Sequence, residues 1–288
     1  MRGCACRGTA GFAHVSCLAE QVKILMDEAE ENNLDDKVQN ARWKRWDTCS
    51  MCEQGYHGVV KCALGWAVWK TYVGRPETDQ LRRCAMGLLG TGLSDAGHLA
   101  DAVSVYEARL SLMRRLGAPA YEMLIVQTYL ANALARVGRR EQASNMLRDV
   151  YFGRLRLSGE EHKDTVIAAN NYATSLRLLK RFKEAKSLFR NTIPVAQRFI
   201  GESDSVMLMI KMAYAETLYK DADATLDDLR EAVTTLLEPE RTARRVFGGS
   251  NPLTVDIEGS LRDARAALRA RETPSSEADD LAARLRGL

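Results

Sequence analysis

The sequence predicts a mostly α-helical protein, an α-solenoid of antiparallel helix pairs preceded by a small zinc-binding module. Two observations carry the solenoid. Gly117, Gly159 and Gly201 stand 42 residues apart, and the apolar residues between them recur every three to four positions, as on one face of a helix. A third observation carries the front module: Cys4, Cys6, Cys17, Cys49 and Cys52 crowd into the first 52 residues, with His14 among them.

Taken in chain order, the front comes first. Its pattern is C-x-C-x7-H-x2-C-x31-C-x2-C. Zinc takes four soft or borderline ligands in a tetrahedron, and short C-x-C, H-x2-C and C-x2-C pairs each offer two from one turn. No apolar segment follows Arg2 in the manner of a signal peptide, so the expected address is cytoplasmic or nuclear. Thiols stay reduced there, and clustered cysteines serve metals more often than disulfides. His57 and Cys62 match no further ligand spacing, and Cys62 and Cys84 read as small buried residues among apolar neighbours. Between Cys17 and Cys49 a helix from Leu18 should lead into an acidic loop or second helix ending near Trp46. Six acids fall within Asp27–Asp36, a run expected to be solvated, or else to attract a basic partner.

Cys4-Ala-Cys6, then His14-Val-Ser-Cys17-Leu18 with Phe12 two before the histidine, then Cys49-Ser-Met-Cys52 with Trp46 just before it, together resemble the RING-CH (RINGv) zinc finger over about fifty residues. The resemblance implies interleaved zinc sites. Cys4, Cys6, Cys49 and Cys52 would form one complete zinc site, and His14 and Cys17 half of another. The C-x2-C pair that should complete the second site would precede Cys4. Its absence suggests an N-terminally shortened form, or else a finger reduced to one zinc. The resemblance further implies a ubiquitin-conjugating enzyme as partner and ubiquitin-protein ligase activity, with zinc in a structural role. The family's docking features are thin here: the first loop is missing, Ser50 stands where proline is common, and Glu53 follows Cys52.

Residues 59–72 form the next element. Trp66 and Trp69 are three apart, on one helical face, and read as a half-repeat helix joining the front to the first full pair.

The repeats then run from about Gly74 to Arg271. Leu134, Leu176 and Leu218 keep the 42-residue step, as do Leu130, Tyr172 and Tyr214; Gly248 follows Gly201 by 47, with five extra residues around Asp221–Asp228. One period reads as Asp164–Leu179 and Phe182–Ile200, joined by Lys180 and Arg181. The glycine ends the second helix, where a left-handed residue is needed and glycine adopts it most easily. Pro194 falls inside that second helix and should kink it. Pro252–Ala270 closes the series, and Thr273–Leu288 is a tail. The boundaries are therefore 1–58 for the finger-like module, 59–271 for the repeats and 272–288 for the tail.

Asn171-Tyr-Ala-Thr-Ser-Leu-Arg-Leu-Leu-Lys-Arg-Phe-Lys-Glu-Ala185 resembles the tetratricopeptide repeat (TPR), in the 42-residue form found in kinesin light chains. That resemblance covers about two-thirds of the chain and implies a protein or peptide partner. In the family an asparagine on the first helix of each pair clamps a peptide backbone. Asn171 is the candidate; its equivalents are Tyr129 and Ala213.

Charge and composition exclude little else. The net charge of +3 gives no push toward nucleic acid. No apolar run is long enough for a membrane span. Gly87-Leu-Leu-Gly-Thr-Gly92 follows no strand, so it does not read as a nucleotide loop. No catalytic residues are assigned. The leading expectation is a zinc-binding protein-interaction scaffold. A ligase whose repeats bind substrate is the alternative, and a kinesin-light-chain-like cargo adaptor a weaker one.

Overall fold

The computed structural model describes residues 14–272. These fold into twelve α-helices, with one short 3-10 turn at Lys44–Trp46 and no strand among the described residues. Cys4, Cys6 and the tail from Thr273 lie outside the described residues. The chain divides into two compact units at Met146/Leu147, within the seventh helix. No helix among the described residues is long and apolar enough to cross a membrane.

The first unit begins with α1 (Val15–Glu31), α2 (Asp36–Trp43) and α3 (Gly58–Tyr72). α1 and α2 are the predicted pair across the acidic stretch, and the stretch is not merely solvated. Glu28 pairs with Arg42, Glu30 with Arg75, and the Asp35 side chain accepts the Val38 N–H at 2.9 Å as the cap of α2. Trp46, Cys49 and Tyr56 are buried in one apolar cluster with Val22, Met26, Val60, Leu64, Val68 and Tyr72, so the front is built on α3. α3 packs along α4 (Gln80–Asp95), which in turn packs against the next helix. Trp69 packs against the front cluster, whereas Trp66 is 44% exposed, so the two indoles do not share one environment. Cys62 is buried and Cys84 half-buried.

α3 and α4 meet through glycine. A Cβ on Gly65 would lie 3.0 Å from the Leu88 carbonyl oxygen, and one on Gly92 would lie 2.8 Å from that of Lys61. Gly90 makes room for the Tyr106 ring and Gly87 for the Arg109 guanidinium. The glycine-rich run of α4 is therefore a packing device. α5 (Leu99–Arg115), α6 (Ala120–Arg136) and the start of α7 (Arg140–Ser158) continue the helix pairs.

The second unit holds the rest of α7, α8 (Lys163–Leu178), α9 (Phe182–Phe199), α10 (Ser205–Tyr219), α11 (Leu226–Phe247) and α12 (Pro252–Glu272). The α8/α9 boundaries agree with the sequence reading to within a residue. The longer step to Gly248 comes from a six-residue connection, 220–225, and from the 22-residue length of α11. One core runs through this unit, with Phe189, Met207, Leu208, Ile210, Leu218 and Ile257 essentially sealed from solvent. Ion pairs tie equivalent positions of successive pairs: Lys163–Asp204 at 2.7 Å, Lys186–Asp228 at 3.2 Å, Arg190–Glu231 at 3.0 Å and Arg230–Glu272 at 3.1 Å.

One expectation needs correction. Gly117, Gly159 and Gly248 do take positive φ, but Gly201 and Gly74 do not. α9 ends instead on Ile200, which turns to extended backbone at φ −100° and buries its side chain in the core. Pro194 lies inside α9, which runs on to Phe199. Pro194 and Arg190, whose carbonyl loses its donor, are both exposed, so water can take the place of the missing N–H.

Candidate functional site

Chemistry-bearing residues gather at the front. Cys49–Cys52 occupies a tight turn closed by an antiparallel bridge between Thr48 and Gly55. The Cys49 N–H donates to the Gln54 carbonyl at 2.9 Å, and the Glu53 N–H returns to the Cys49 carbonyl at 3.0 Å. Closing so short a turn forces Glu53 to φ +57°. The turn aims the Met51 N–H at the Cys49 sulfur, 3.4 Å away. Such a donor is worth most to a thiolate, the form that ligates metal. Cys49 is buried and Cys52 half-buried against the same apolar cluster.

His14 and Cys17 stand at the opening of α1, His14 as its first flanking residue and Cys17 in its first turn. Cys17 Sγ lies 3.9 Å from His14 Nδ1. Two such ligands on one tetrahedral zinc sit about 3.6 Å apart, from bond lengths of about 2.3 and 2.1 Å. The His14–Cys17 separation is close to that value. The two described pairs do not join each other, since among the described residues no three His, Cys, Asp or Glu side chains share a place where an ion would fit. Cys4 and Cys6 belong to the residues not described.

The second candidate surface is on the first helix of each pair. Asn171 is half-buried on α8, beside Tyr172, which stacks on Tyr151 with centroids 6.3 Å apart. At the equivalent position of α6, Tyr129 is 43% exposed and stacks on Tyr106, centroids 5.9 Å apart and planes 13° off parallel. Ala213 on α10 is buried. An asparagine therefore stands at this position in one pair of three.

One turn earlier runs a row that the sequence reading missed: Ile125, Ile167 and Met209, again 42 apart. Ile125 is 40% and Met209 39% exposed, whereas Ile167 leans on the core. On α6 the row broadens into Tyr121, Ile125 and Tyr129, three large side chains one helical turn apart, each open to solvent over 40% or more of its surface. The 42-residue spacing of Ile125, Ile167 and Met209 was visible in the sequence; their exposure was not.

Arg109 backs this stripe. It reaches across Gly87 from α5, near Tyr106 and Tyr129, and its Nε is buried with no hydrogen-bond partner. Burial pulls the guanidinium below its ordinary pKa, only partly offset by nearby Cys84 and the tyrosines.

No protein-family model and no curated protein matches the chain. Among solved structures, it is similar to a chain described as a Podosopora anserina kinesin light chain with nearly identical TPR-like repeats: 15% identity, 81% of this chain and 98% of that one covered, TM-score 0.53. A singly substituted form of that protein gives the same identity and TM-score over 82% and 99%. BtubC (BKLC) from P. vanneervenii is 14% identical over 91% and 94%, with a TM-score of 0.47. At such identities the first two speak to fold alone, and that fold is a TPR-like array of helix pairs.

Proposed function

We propose that the chain is a protein-interaction scaffold. Its TPR-like pairs take hold of a partner mainly through apolar and aromatic side chains, with Asn171 as a single polar contact. The observation that carries this reading is the exposed stripe of Tyr121, Ile125 and Tyr129. A stripe at i, i+4, i+8 offers anchors to an extended or helical peptide. Aromatic anchors lose little rotamer freedom on binding, so they hold well per contact.

Peptide selection from a random library against the full chain tests it. Enriched peptides should carry apolar anchors and lose about ten-fold or more in affinity to an Ile125→Ala/Tyr129→Ala double variant, in line with truncation of two interface anchors. Peptides that bind the double variant equally well would remove the stripe from the reading.

The front is proposed as a zinc-binding module of a protein working in the cytoplasm or nucleus. Cys49 and Cys52, with Cys4 and Cys6, would hold one structural zinc, and His14 and Cys17 would offer half of a second site. What favours this is the Cys49–Cys52 turn, whose backbone already points a donor at sulfur. Zinc there would supply folding energy to a segment with few core residues. About one zinc per purified chain, lost in Cys49→Ser/Cys52→Ser, is the expected metal analysis.

Ligase activity, with a ubiquitin-conjugating enzyme as partner, is the alternative and draws only on the Cys and His spacing in the sequence. Autoubiquitination in the presence of a panel of conjugating enzymes is its test, and no product with any of them would leave the scaffold alone. The cargo-adaptor reading draws only on shared fold.

A further inference from the structure

The acidic stretch after α1 does more than stabilise its own helices. A cavity of about 330 Å3 opens between α1, α2 and the start of α4, within the first unit. That volume is at the small end of ligand pockets, enough for one long side chain. Glu30, Asp36 and Asp79 line it, against the single guanidinium of Arg75. Arg75 is already engaged. It makes a two-point pair with Glu30 at 2.8 and 2.9 Å, stands 3.5 Å from Asp79, and lies 4.8 Å above the Tyr72 ring. Nearby Arg82 and Arg83 turn their guanidinium groups to the carbonyls of Arg75 and Thr78. Asp36 makes no ion pair among the described residues, although it borders the cavity.

The remaining walls complete a pattern. Trp43, whose ring lies 5.5 Å from that of Tyr72, and Asn40 also line the cavity. An indole face with a carboxylate and an amide beside it suits a flat, delocalised cation that both stacks and donates several parallel hydrogen bonds. An ammonium, compact and strongly hydrated, gains less from such a wall. We propose that this cavity receives the guanidinium of an arginine on a partner protein, stacked on Trp43 and paired with Asp36. The site is separate from the α6 stripe and does not depend on it.

The test uses the full chain, 15N-labelled, and two blocked tripeptides, Gly-Arg-Gly and Gly-citrulline-Gly. Citrulline keeps the length and planarity of arginine but has no charge. The arginine peptide should shift the Trp43 indole and Asn40 side-chain amide resonances, saturating at millimolar concentration. The citrulline peptide should need about ten-fold more, as expected for loss of a charge-assisted pair. Trp43 supports Tyr72, so its replacement risks the fold. Asp36→Asn, at the exposed start of α2, does not, and should weaken the arginine peptide about five-fold with the helix content unchanged. Equal response to both peptides, shifts that bypass Trp43, or undiminished binding by Asp36→Asn would overturn the proposal.

Discussion

The α3/α4 pair of the first unit and the α8–α11 pairs of the second hold antiparallel helices together by different means. In α3/α4 the backbones themselves touch, through Gly65 and Gly92. In α8–α11 side chains fill the space, and ion pairs such as Lys186 with Asp221 and Asp228 tie one pair to the next. Close backbone approach gives dispersion contact and no tolerance for a single added carbon. Side-chain packing tolerates more, but each buried charge then depends on its partner. The difference predicts where each region breaks.

The largest effect is expected at Gly92. Alanine there would bring its Cβ to 2.8 Å from the Lys61 carbonyl oxygen and 3.0 Å from the Cys62 Cα, both backbone atoms that cannot swing aside. Overpacking of this kind costs roughly 3 kcal/mol, and alanine's better helix propensity returns about 1, for a net loss of about 2 kcal/mol. Urea unfolding of Gly92→Ala measures it. Gly87→Ala is the control within the same helix: its Cβ would meet the end of the Arg109 side chain, which can move. A loss at Gly87 as large as at Gly92 would mean that the backbone contact is not what holds α3 to α4.

Next in size is the ionic tie. The Lys186 side chain is 13% exposed and stands between the carboxylates of Asp221 and Asp228, 12% and 15% exposed. Lys186→Met leaves two half-sealed acids facing each other and should cost about 1.5 kcal/mol, less than a fully buried broken pair because water still reaches them. Burial pushes the Asp228 carboxyl up, but the Thr225 N–H and hydroxyl and the Lys186 ammonium outweigh it and hold its pKa below the usual range. A depressed carboxylate contributes stability that is complete above its unfolded pKa, about 3.9, and is lost as pH falls through the lower folded value. Removing Lys186 relaxes that depression, so the fall in stability below pH 5 should be shallower in Lys186→Met than in the wild type. An identical acid profile would break the link between this pair and the second unit's stability.

The same contrast explains what the sequence disclosed. The 42-residue step was legible from Leu176, Leu218, Tyr172 and Tyr214 because side-chain packing must repeat its large residues wherever it repeats its geometry. α3/α4 hid its pairing, since contact through Gly65 and Gly92 leaves no apolar period to read; the glycine run, rejected as a nucleotide loop, is a packing surface within a helix. At the front, the spacing of His14 with Cys17 and of Cys49 with Cys52 was plain in the sequence; the structure puts Cys17 Sγ 3.9 Å from His14 Nδ1 and folds Cys49–Cys52 into a turn closed by the Thr48–Gly55 bridge. Asn171 stood out as a polar residue in a repeat motif, whereas the stripe on α6 depends on how much of Tyr121, Ile125 and Tyr129 the fold leaves open, which no local pattern records. Long-range complementarity leaves its trace on two distant segments at once, and the Glu30–Arg75 pair across 45 residues is of that kind.

The smallest effect has the opposite sign. The α4/α5, α6/α7 and α8/α9 turns each place one residue in the left-handed region. In the α4/α5 and α6/α7 turns that residue is Gly97, at φ +87°, and Gly138, at φ +91°. In the α8/α9 turn Lys180 occupies the same place at φ +61°, with its side chain exposed. A residue with a Cβ spends about 1 kcal/mol or more in that conformation, and glycine does not. Part of the gain is offset because glycine frees the unfolded chain. Lys180→Gly should therefore stabilise the protein, by roughly 0.5 kcal/mol after the offset. Thermal unfolding detects the shift if the second unit melts cooperatively. A destabilised Lys180→Gly would show that the Lys180 side chain holds the turn through a contact stronger than its strained backbone.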